Sequence, residues 1–343
     1  MAIAGAKRRG SITRPTGQSV QSPLFSAQAV LMPQLHVGEL SWSVASASNL
    51  LDALNHAGIP VPYSCRAGSC HACLVRVVKG EPEDALPDAL PVEKRQQGWR
   101  LACQCRVTGD LAVEVFDPQC DGLPATVAGC DWLSASVLRL RLEPARPLRY
   151  SAGQHQVLWT DSGVARPYSL ASLPGEDAFL EFHIDCLQPG AFRDVTRQLQ
   201  VGDALRLGEL RGGALRYDPD WQEKPLLLLA AGTGLGPLWG VLREALRQDH
   251  QGAIRVIHLA RDSQEHYLAD ELHALAERYP QVHVQLVTPQ TLQATLAELR
   301  LLSRHAMALV CGSADSVEMF AKRLYLAGLP RNQLLADVFV ARD

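Results

Sequence analysis

The sequence predicts a multidomain fold of α+β and α/β type, and three observations along the chain predict it. Residues 35–117 combine a hairpin pattern, one short helix and Val-rich alternating runs, which is typical of a small α+β unit. Residues 123–220 contain short alternating apolar runs separated by Gly, Pro and Asp turns, which favours an all-β barrel or sandwich. From residue 224 onward, apolar strands alternate with helical patterns, which indicates βαβ units around a parallel sheet.

The length of the chain agrees with this division, and its charge and apolar runs indicate which partners to expect. The 343 residues suffice for two or three domains. A formal net charge of -3 gives no basic excess of the kind that nucleic-acid binding needs. The longest apolar run, Leu226–Ala231, is much shorter than the roughly 18–20 residues of a membrane span. We therefore expect neither nucleic acid as a partner nor a membrane span.

The first 30 residues have a composition of their own. They are basic, rich in Ser, Gly, Gln and Pro, and lack the apolar stretch of a secretory signal. This composition predicts a disordered tail over residues 1–30, with an organelle-targeting peptide as the alternative. Nine cysteines in a chain without a secretory signal favour a reducing compartment, where thiols bind metals, catalyse or lie buried. We therefore expect a cytoplasmic protein.

A short helix precedes the cysteine-rich segment of the first unit. Leu50, Leu51 and Leu54 recur on one helical face. Ser48 is the predicted N-cap, and Gly58 is the predicted C′ residue. The leucines are therefore expected to enter the core just before the cysteine loop.

Three cysteines follow this helix as Cys65-x4-Cys70-x2-Cys73, and Cys103 and Cys105 come further on. A disulfide is disfavoured in a reducing compartment, a zinc site usually pairs two C-x-x-C-like knuckles, and a redox C-x-x-C needs a surrounding βαβ pattern. The C-x4-C-x2-C spacing with a distant cysteine is that of a plant-type [2Fe-2S] cluster. Cys103 and Cys105 are two residues apart on a predicted strand, so both can face the same way and the fourth ligand stays open.

This segment resembles the plant-type ferredoxin domain, whose fourth cysteine lies in an L-x-C-Q context. That context is residues 101–104 here, so the resemblance implies Cys103 as the fourth ligand and Cys105 as a buried neighbour. The implied metal ligands are thus Cys65, Cys70, Cys73 and Cys103. His71 departs from the pattern, because the family usually has Gly after the second cysteine. We expect a solvent-facing loop residue there.

The second unit carries a flavin-binding signature, Arg166-Pro-Tyr-Ser-Leu170. It resembles the R-x-Y-S motif of the ferredoxin–NADP reductase superfamily. The resemblance implies that Arg166 neutralises the flavin pyrophosphate, that Tyr168 packs on the flavin and that Ser169 reaches flavin N5 and O4.

The second phosphate element of that superfamily normally reads G-x-x-S after a strand. Here the strand holds His183 and Ile184, and the element is Gly190-Ala-Phe-Arg193. Arg193 replaces the usual hydroxyl residue and can still reach a phosphate. This departure leaves FMN as the alternative to FAD.

The third unit has a glycine-rich turn, residues 232–237, between an apolar strand and a helix. It is not a G-x-G-x-x-G sequence, but glycines let the backbone approach a pyrophosphate and a helix N-terminus supplies N–H donors. The turn resembles the superfamily's G-T-G-x-x-P nicotinamide-cofactor loop. The implied cofactor-binding residues are Gly232, Thr233, Gly234, Gly236 and Pro237.

Further positions are implied near the nicotinamide. Cys311-Gly312 resembles the superfamily's C-G-P element, and Phe339 is a candidate for the aromatic that covers the flavin face. Arg261 follows the second strand of the unit, where an Arg accommodates a 2′-phosphate and an acid favours NADH. Because Asp262 is its neighbour, the choice between NADH and NADPH stays open. We expect Ser169, Cys311 and Phe339 at the reacting end of the cofactors.

Over residues 35–343 the chain resembles the reductase components of bacterial aromatic-ring oxygenases. The resemblance implies a β-grasp [2Fe-2S] ferredoxin domain (31–118), a Greek-key β-barrel FAD domain (122–221) and a Rossmann-like parallel α/β NAD(P) domain (224–343). It also implies an NAD(P)H-dependent oxidoreductase that passes a hydride to FAD and then single electrons through the cluster to an external protein, an oxygenase component. The alternatives are a reductase for deoxysugar dehydration or a desaturase, and a non-catalytic redox-sensing protein.

Overall fold

The computed structural model describes residues 32–212 and 214–340. The tail predicted over residues 1–30 lies outside the described residues. The described chain forms three sheet-based units in succession. Within these ranges, none of the helices is both long enough and apolar enough to cross a membrane.

The first unit is a mixed sheet with a helix that shares its core. Its elements are β1 (Gln34–Val37), β2 (Leu40–Ser43), β3 (Ser48–Asn49), α1 (Leu50–His56), β4 (Leu74–Lys79), β5 (Glu83–Asp84), α2 (Val92–Gln96), β6 (Trp99–Leu101), β7 (Cys105–Val107), β8 (Leu111–Val115) and α3 (Pro118–Asp121). The main sheet has the order β2-β1-β8-β4-β6, with β1 and β8 parallel, and β3-β7-β5 form a small second sheet. This arrangement is the predicted α+β unit of β-grasp type.

Helix α1 begins slightly later than predicted. Its N-cap is Asn49, whose side-chain oxygen accepts a hydrogen bond from the Asp52 amide at 3.3 Å. The predicted cap, Ser48, instead pairs with Val107 in the small second sheet, so the prediction was wrong by one residue. Gly58 follows the helix with φ of 77°, as a C′ glycine does.

The second unit is an antiparallel barrel. Its elements are β9 (Leu123–Trp132), β10 (Val137–Pro144), β11 (His155–Trp159), β12 (Ala165–Ser169), β13 (Leu180–Asp185), α4 (Ala191–Thr196) and β14 (Ala204–Arg211). The sheet order is β12-β11-β14-β9-β10-β13, and a bridge between Leu170 and Phe182 joins its two edges. The all-β prediction is therefore confirmed as a closed barrel.

The third unit is a five-stranded parallel sheet with helices between its strands. Its elements are β15 (Leu226–Ala231), α5 (Leu235–Arg247), β16 (Ile254–Leu259), α6 (Ala269–Arg278), β17 (Val282–Val287), α7 (Pro289–Glu298), β18 (Met307–Ser313), α8 (Ala314–Leu326) and β19 (Leu334–Phe339). The order β17-β16-β15-β18-β19 reverses direction between β15 and β18. In such sheets, ligands bind outside the carboxyl ends of the strands at this switch point.

The first and second units share a hydrophobic core. Trp159 of β11 stacks on Phe116, with ring centroids 5.2 Å apart and ring planes 21° apart. Val157 and Ala165 of the barrel lie in the same buried cluster as the core of the first unit. The two units are therefore held together by burial, which fixes the cysteine loop relative to the barrel.

We expect Trp159→Ala to lower the free energy of unfolding by about 3–5 kcal/mol, because truncating a buried Trp leaves a large cavity. Trp159 is 5% exposed. The matched control is Trp132→Ala, at a position 52% exposed, where the change should stay within about 0.5 kcal/mol. Urea denaturation followed by far-ultraviolet circular dichroism measures both variants. Equal losses would contradict the shared core.

Candidate active site

The loop from Cys65 to Cys73 turns its amides toward the sulfur atoms. Arg66 and His71 have left-handed φ values of 52° and 55°, which bend the loop at these residues. The Ala67 and Cys70 amides each lie 3.3 Å from Cys65 Sγ and donate to it. Sulfur atoms that carry negative charge in a cluster are stabilised by such donors.

The four predicted ligands lie as two thiol pairs. The Cys70 thiol hydrogen bonds to Cys65 and is the main cause that lowers the Cys65 pKa to about 4. The Cys73 thiol likewise hydrogen bonds to Cys103, whose pKa is lowered to about 7. Among the described residues, no group of three or more His, Cys, Asp or Glu is placed to hold a metal ion. Two pairs of thiols suit a cluster of two irons, each with two thiolates, better than a single ion.

The structure separates Cys103 from Cys105. Cys103 lies in a 3-10 turn, Ala102–Gln104, and not on the predicted strand. The Gln104 side chain donates to its sulfur at 3.3 Å. Cys105 lies on β7 opposite Asp84, is fully buried, and has its pKa raised to about 12 by burial. The two cysteines therefore lie in different elements and do not share one strand, as the sequence suggested they could.

A cavity of about 530 Å³ lies where the three units meet. Its volume is typical of a small-molecule or cofactor site. The predicted site residues that line it are Cys65, Cys70, Arg166, Tyr168, Ser169, His183, Gly190, Arg193, Thr233, Gly236, Pro237 and Phe339. The predicted residues outside its lining are Cys73, Cys103, Ile184, Gly232, Gly234, Arg261, Cys311 and Gly312. The cavity thus brings the cysteine loop, the flavin motif and the glycine-rich turn together.

The barrel side of this central cavity is cationic and aromatic. Arg166 and Arg193 both lie on its wall, which suits a pyrophosphate. The Tyr168 ring packs against Phe192 with centroids 5.1 Å apart, and burial raises the Tyr168 pKa. Tyr168 therefore stays a neutral aromatic surface on which a flavin can lie.

Three histidines on the cavity wall have ring nitrogens that are buried and lack a hydrogen-bond partner in the protein: His71 Nδ1, His155 Nε2 and His183 Nδ1. An unpartnered buried polar atom is costly unless a ligand or water satisfies it. The prediction of a solvent-facing His71 was wrong, because His71 is 5% exposed and packs toward the barrel. Burial, and then the nearby Arg211, lower its pKa to about 4. These orphaned nitrogens fit a polar cofactor in the cavity.

The glycine-rich turn is closely packed at Gly234 and, less tightly, at Gly236. A Cβ on Gly234 would lie 2.2 Å from the Cys311 carbonyl oxygen, and one on Gly236 would lie 3.3 Å from His183 Nδ1. The His258 imidazole donates from Nε2 to the Gly232 carbonyl at 3.1 Å. The turn therefore packs against the carboxyl end of β18 and accepts a hydrogen bond from His258 of β16. It lies at the switch point of the sheet. This fits a nicotinamide-cofactor phosphate.

Lowering the pH is expected to destabilise the protein through His258. Burial, and then His266, lower its pKa from an ordinary 6.5 to about 3 in the folded state. The unfolded state therefore binds more protons as pH falls below about 6.5, and the stability contributed by the neutral imidazole is present above that pH and lost toward pH 3. Between about pH 7 and about pH 5 the wild type should lose about 2 kcal/mol more than His258→Gln, which has nothing to titrate. Urea denaturation at both pH values measures this, and parallel losses would contradict it.

The structure also places residues that the sequence motifs did not identify. His155 lines the cavity and pairs with Ser169 across β11 and β12. Asp337 lines it as well and pairs with Cys311 across β18 and β19. Cys311 itself is fully buried, and burial raises its thiol pKa. Only strand register brings His155 and Asp337 to the site, so no local motif could have revealed these two residues.

The comparisons with known proteins agree with this site. Residues 38–108 match the 2Fe-2S iron-sulfur cluster binding domain, residues 132–214 the oxidoreductase FAD-binding domain, and residues 228–322 the oxidoreductase NAD-binding domain. Together with the central cavity, these domains define an iron–sulfur flavoprotein oxidoreductase that uses a nicotinamide cofactor. The predicted fold class, enzyme class and cofactors are confirmed.

Known relatives narrow this class. The ferredoxin–NAD(P)+ reductase component of the naphthalene 1,2-dioxygenase/salicylate 5-hydroxylase systems of a Ralstonia species is 33% identical, over 72% of this chain and 77% of its own. That of the naphthalene 1,2-dioxygenase system of Pseudomonas putida is 30% identical, over 86% of this chain and 94% of its own. The chain therefore belongs to the family of ferredoxin–NAD(P)+ reductase components.

A solved structure supports the same architecture. The crystal structure of a cytochrome P450 reductase from Amycolatopsis superposes with a TM-score of 0.63 at 26% identity. The match covers 90% of this chain and 99% of that one. All three units are therefore included in the likeness.

Proposed function

We propose that this reductase passes electrons from a nicotinamide cofactor to an oxygenase component. The observation that carries the proposal is the central cavity, whose wall combines the cysteine loop, the flavin motif and the glycine-rich turn. Electron transfer between cofactors needs short separations, and a cavity common to the three units provides them. The relatives at 30% identity or more in dioxygenase systems support an oxygenase as the acceptor.

Most of the predicted site residues have a named role in this proposal. When bound, FAD accepts a hydride and releases electrons one at a time to the [2Fe-2S] cluster, which carries them singly. Arg166 and Arg193 hold the pyrophosphate, while Tyr168 and Ser169 orient the flavin ring. Phe339 covers the face on which the nicotinamide must stack. The proposed cluster ligands are Cys65, Cys70, Cys73 and Cys103, and the proposed nicotinamide-cofactor residues are Gly232, Thr233, Gly234, Gly236, Pro237, Cys311 and Gly312.

In this proposal, His155 links the residues that would hold the flavin to the loop that would hold the cluster. Its strand partner is Ser169 of the flavin motif. Its imidazole interacts with the backbone of Cys70, inside the cysteine loop. His155 therefore interacts with the cysteine loop through its side chain and pairs through its backbone with the strand that carries the flavin motif.

The proposed domains keep the predicted bounds of 31–118, 122–221 and 224–343. We also propose a cytoplasmic location. Its support is that the nine cysteines all have free thiols, and a reducing compartment keeps thiols in this state.

Anaerobic titration of the purified protein with NADH and then NADPH tests the proposal. Reduction should bleach the flavin bands first and the cluster bands next, with electrons then passing to an added oxygenase component. Absence of bleaching with either nucleotide would refute the reductase function and favour a redox-sensing protein. If the flavin and cluster bands bleach but electrons pass only to a deoxysugar dehydratase or a desaturase, the oxygenase is refuted as the acceptor.

A further inference from the structure

In the segment that follows β16, the cation Arg261 is paired with the carboxylate of Glu265. The guanidinium of Arg261 donates from Nη2 to Ser136 Oγ at 2.8 Å. The same Nη2 lies 3.5 Å from Glu265 Oε1, one turn further along the segment. Arg261 is thus held between the barrel and its own unit.

Glu265 is fixed more firmly than Arg261. Its Oε2 accepts hydrogen bonds from Ser134 Oγ at 2.6 Å and from Ser136 Oγ at 2.7 Å. Its side chain is 12% exposed, whereas that of Arg261 is 48% exposed. A largely buried carboxylate that accepts two hydrogen bonds and pairs with a cation is costly to move, so Glu265 keeps its position beside the guanidinium.

This position in a dinucleotide-binding sheet selects between the two nicotinamide cofactors. The residue after the second strand lies near the adenosine ribose, where an Arg accommodates a 2′-phosphate and an acid bonds to the 2′-hydroxyl. Here the segment from Arg261 to Glu265 carries one positive and two negative side chains, since Asp262 follows Arg261 directly. Asp262 is exposed, and its Oδ1 accepts only from the Gln264 amide of the same segment among the hydrogen bonds of the described chain. A 2′-phosphate brings further negative charge into this surrounding, while a 2′-hydroxyl can donate to Asp262.

We infer that this reductase selects NADH over NADPH because Glu265, anchored by Ser134 and Ser136, neutralises and restrains Arg261. The inference rests on the proposed function, since it concerns the nicotinamide cofactor of the same site. Glu265 is a specificity-determining residue that acts through Arg261 and across the boundary between the barrel and the third unit.

Steady-state reduction of ferricyanide, at saturating acceptor, tests this with kcat/KM measured for NADH and for NADPH. The wild type should favour NADH by at least about tenfold, the effect of one charge-assisted interaction. Glu265→Gln should raise kcat/KM for NADPH by about tenfold, acting mainly on KM, and should change the NADH value much less. The increase in kcat/KM for NADPH should shrink as salt is added, because it comes from the charge of Arg261, which is exposed to solvent and no longer paired with Glu265.

The matched control is Glu277→Gln, which removes the same charge at an exposed position of α6. It should leave the NADH-to-NADPH ratio of the wild type unchanged. Flavin absorbance per protein confirms that both variants are folded and loaded. Equal or better use of NADPH by the wild type, or an unchanged ratio in Glu265→Gln, would overturn the inference alone. Reduction by neither nucleotide would overturn the proposed function and the inference with it.

Discussion

Cys103→Ser is expected to abolish the iron–sulfur cluster, whereas Cys105→Ser should leave it in place. Cys103 pairs with Cys73 and receives a hydrogen bond from Gln104. Cys105 lies on β7 opposite Asp84, where it fills the core of the first unit. Because the two residues carry the same side chain two positions apart, each substitution controls for the other.

The expected readouts separate cluster loss from general damage. Iron content and visible cluster absorbance should fall in Cys103→Ser, and electron delivery to a one-electron acceptor such as cytochrome c should fall by on the order of 100-fold or more. Reduction of the flavin by NADH should persist, because the cavity wall of the barrel and third unit is unchanged. In Cys105→Ser the cluster bands should remain, with a loss of stability of about 1–2 kcal/mol from a buried polar hydroxyl. Loss of cluster bands only in Cys105→Ser would reverse the assignment.

Gly234→Ala is expected to slow reduction of the flavin by NADH by about 10- to 100-fold. The new Cβ would lie 2.2 Å from the Cys311 carbonyl oxygen and 2.9 Å from the Gly312 amide nitrogen, both of which are backbone atoms that cannot rotate away. The turn must therefore lift off the end of β18, and displacements near 1 Å in a binding site can cost this much rate. Stopped-flow reduction of the flavin at several NADH concentrations measures the change. The defect should affect both KM for NADH and the limiting rate of flavin reduction.

The control for this prediction lies two residues along the same turn. A Cβ on Gly236 would meet the His183 imidazole at 3.3 Å, a side chain that can shift by a few tenths of an ångström. Gly236→Ala should therefore slow flavin reduction less than tenfold. Equal defects in both variants, with flavin content unchanged, would mean that the turn needs glycine for a reason other than its approach to β18.

Much of this site follows from short-range sequence patterns. The cysteine spacing, the R-P-Y-S strand and the glycine-rich turn each place several chemical groups within a few residues, so their chemistry could be predicted without the fold. The three-unit architecture followed from periodicity, since alternating runs and βαβ repetition reflect which faces are buried. The predicted N-cap of α1 was wrong by one residue, because Ser48 pairs with Val107 in the small second sheet and Asn49 caps the helix.

Contacts between distant segments could not be predicted in this way. His71 was expected to face solvent, yet it is buried at the cavity wall with its Nδ1 unpartnered. In the sequence, the neighbouring Arg261 and Asp262 left the choice between NADH and NADPH open. The selection of NADH that we propose depends on Ser134 and Ser136, more than 120 residues away in the chain.

The amino-acid sequence was thus sufficient for the classes of cofactor, an iron–sulfur cluster, a flavin and a nicotinamide, because cofactor chemistry requires particular residues at short, regular spacings. Tertiary structure alone decided how those cofactors are brought to one cavity, which cysteine pairs with Cys73, and what surrounds Arg261. The physical reason is that burial, charge balance and strand register depend on segments far apart in sequence, and these segments meet only when the hydrophobic cores of the units form.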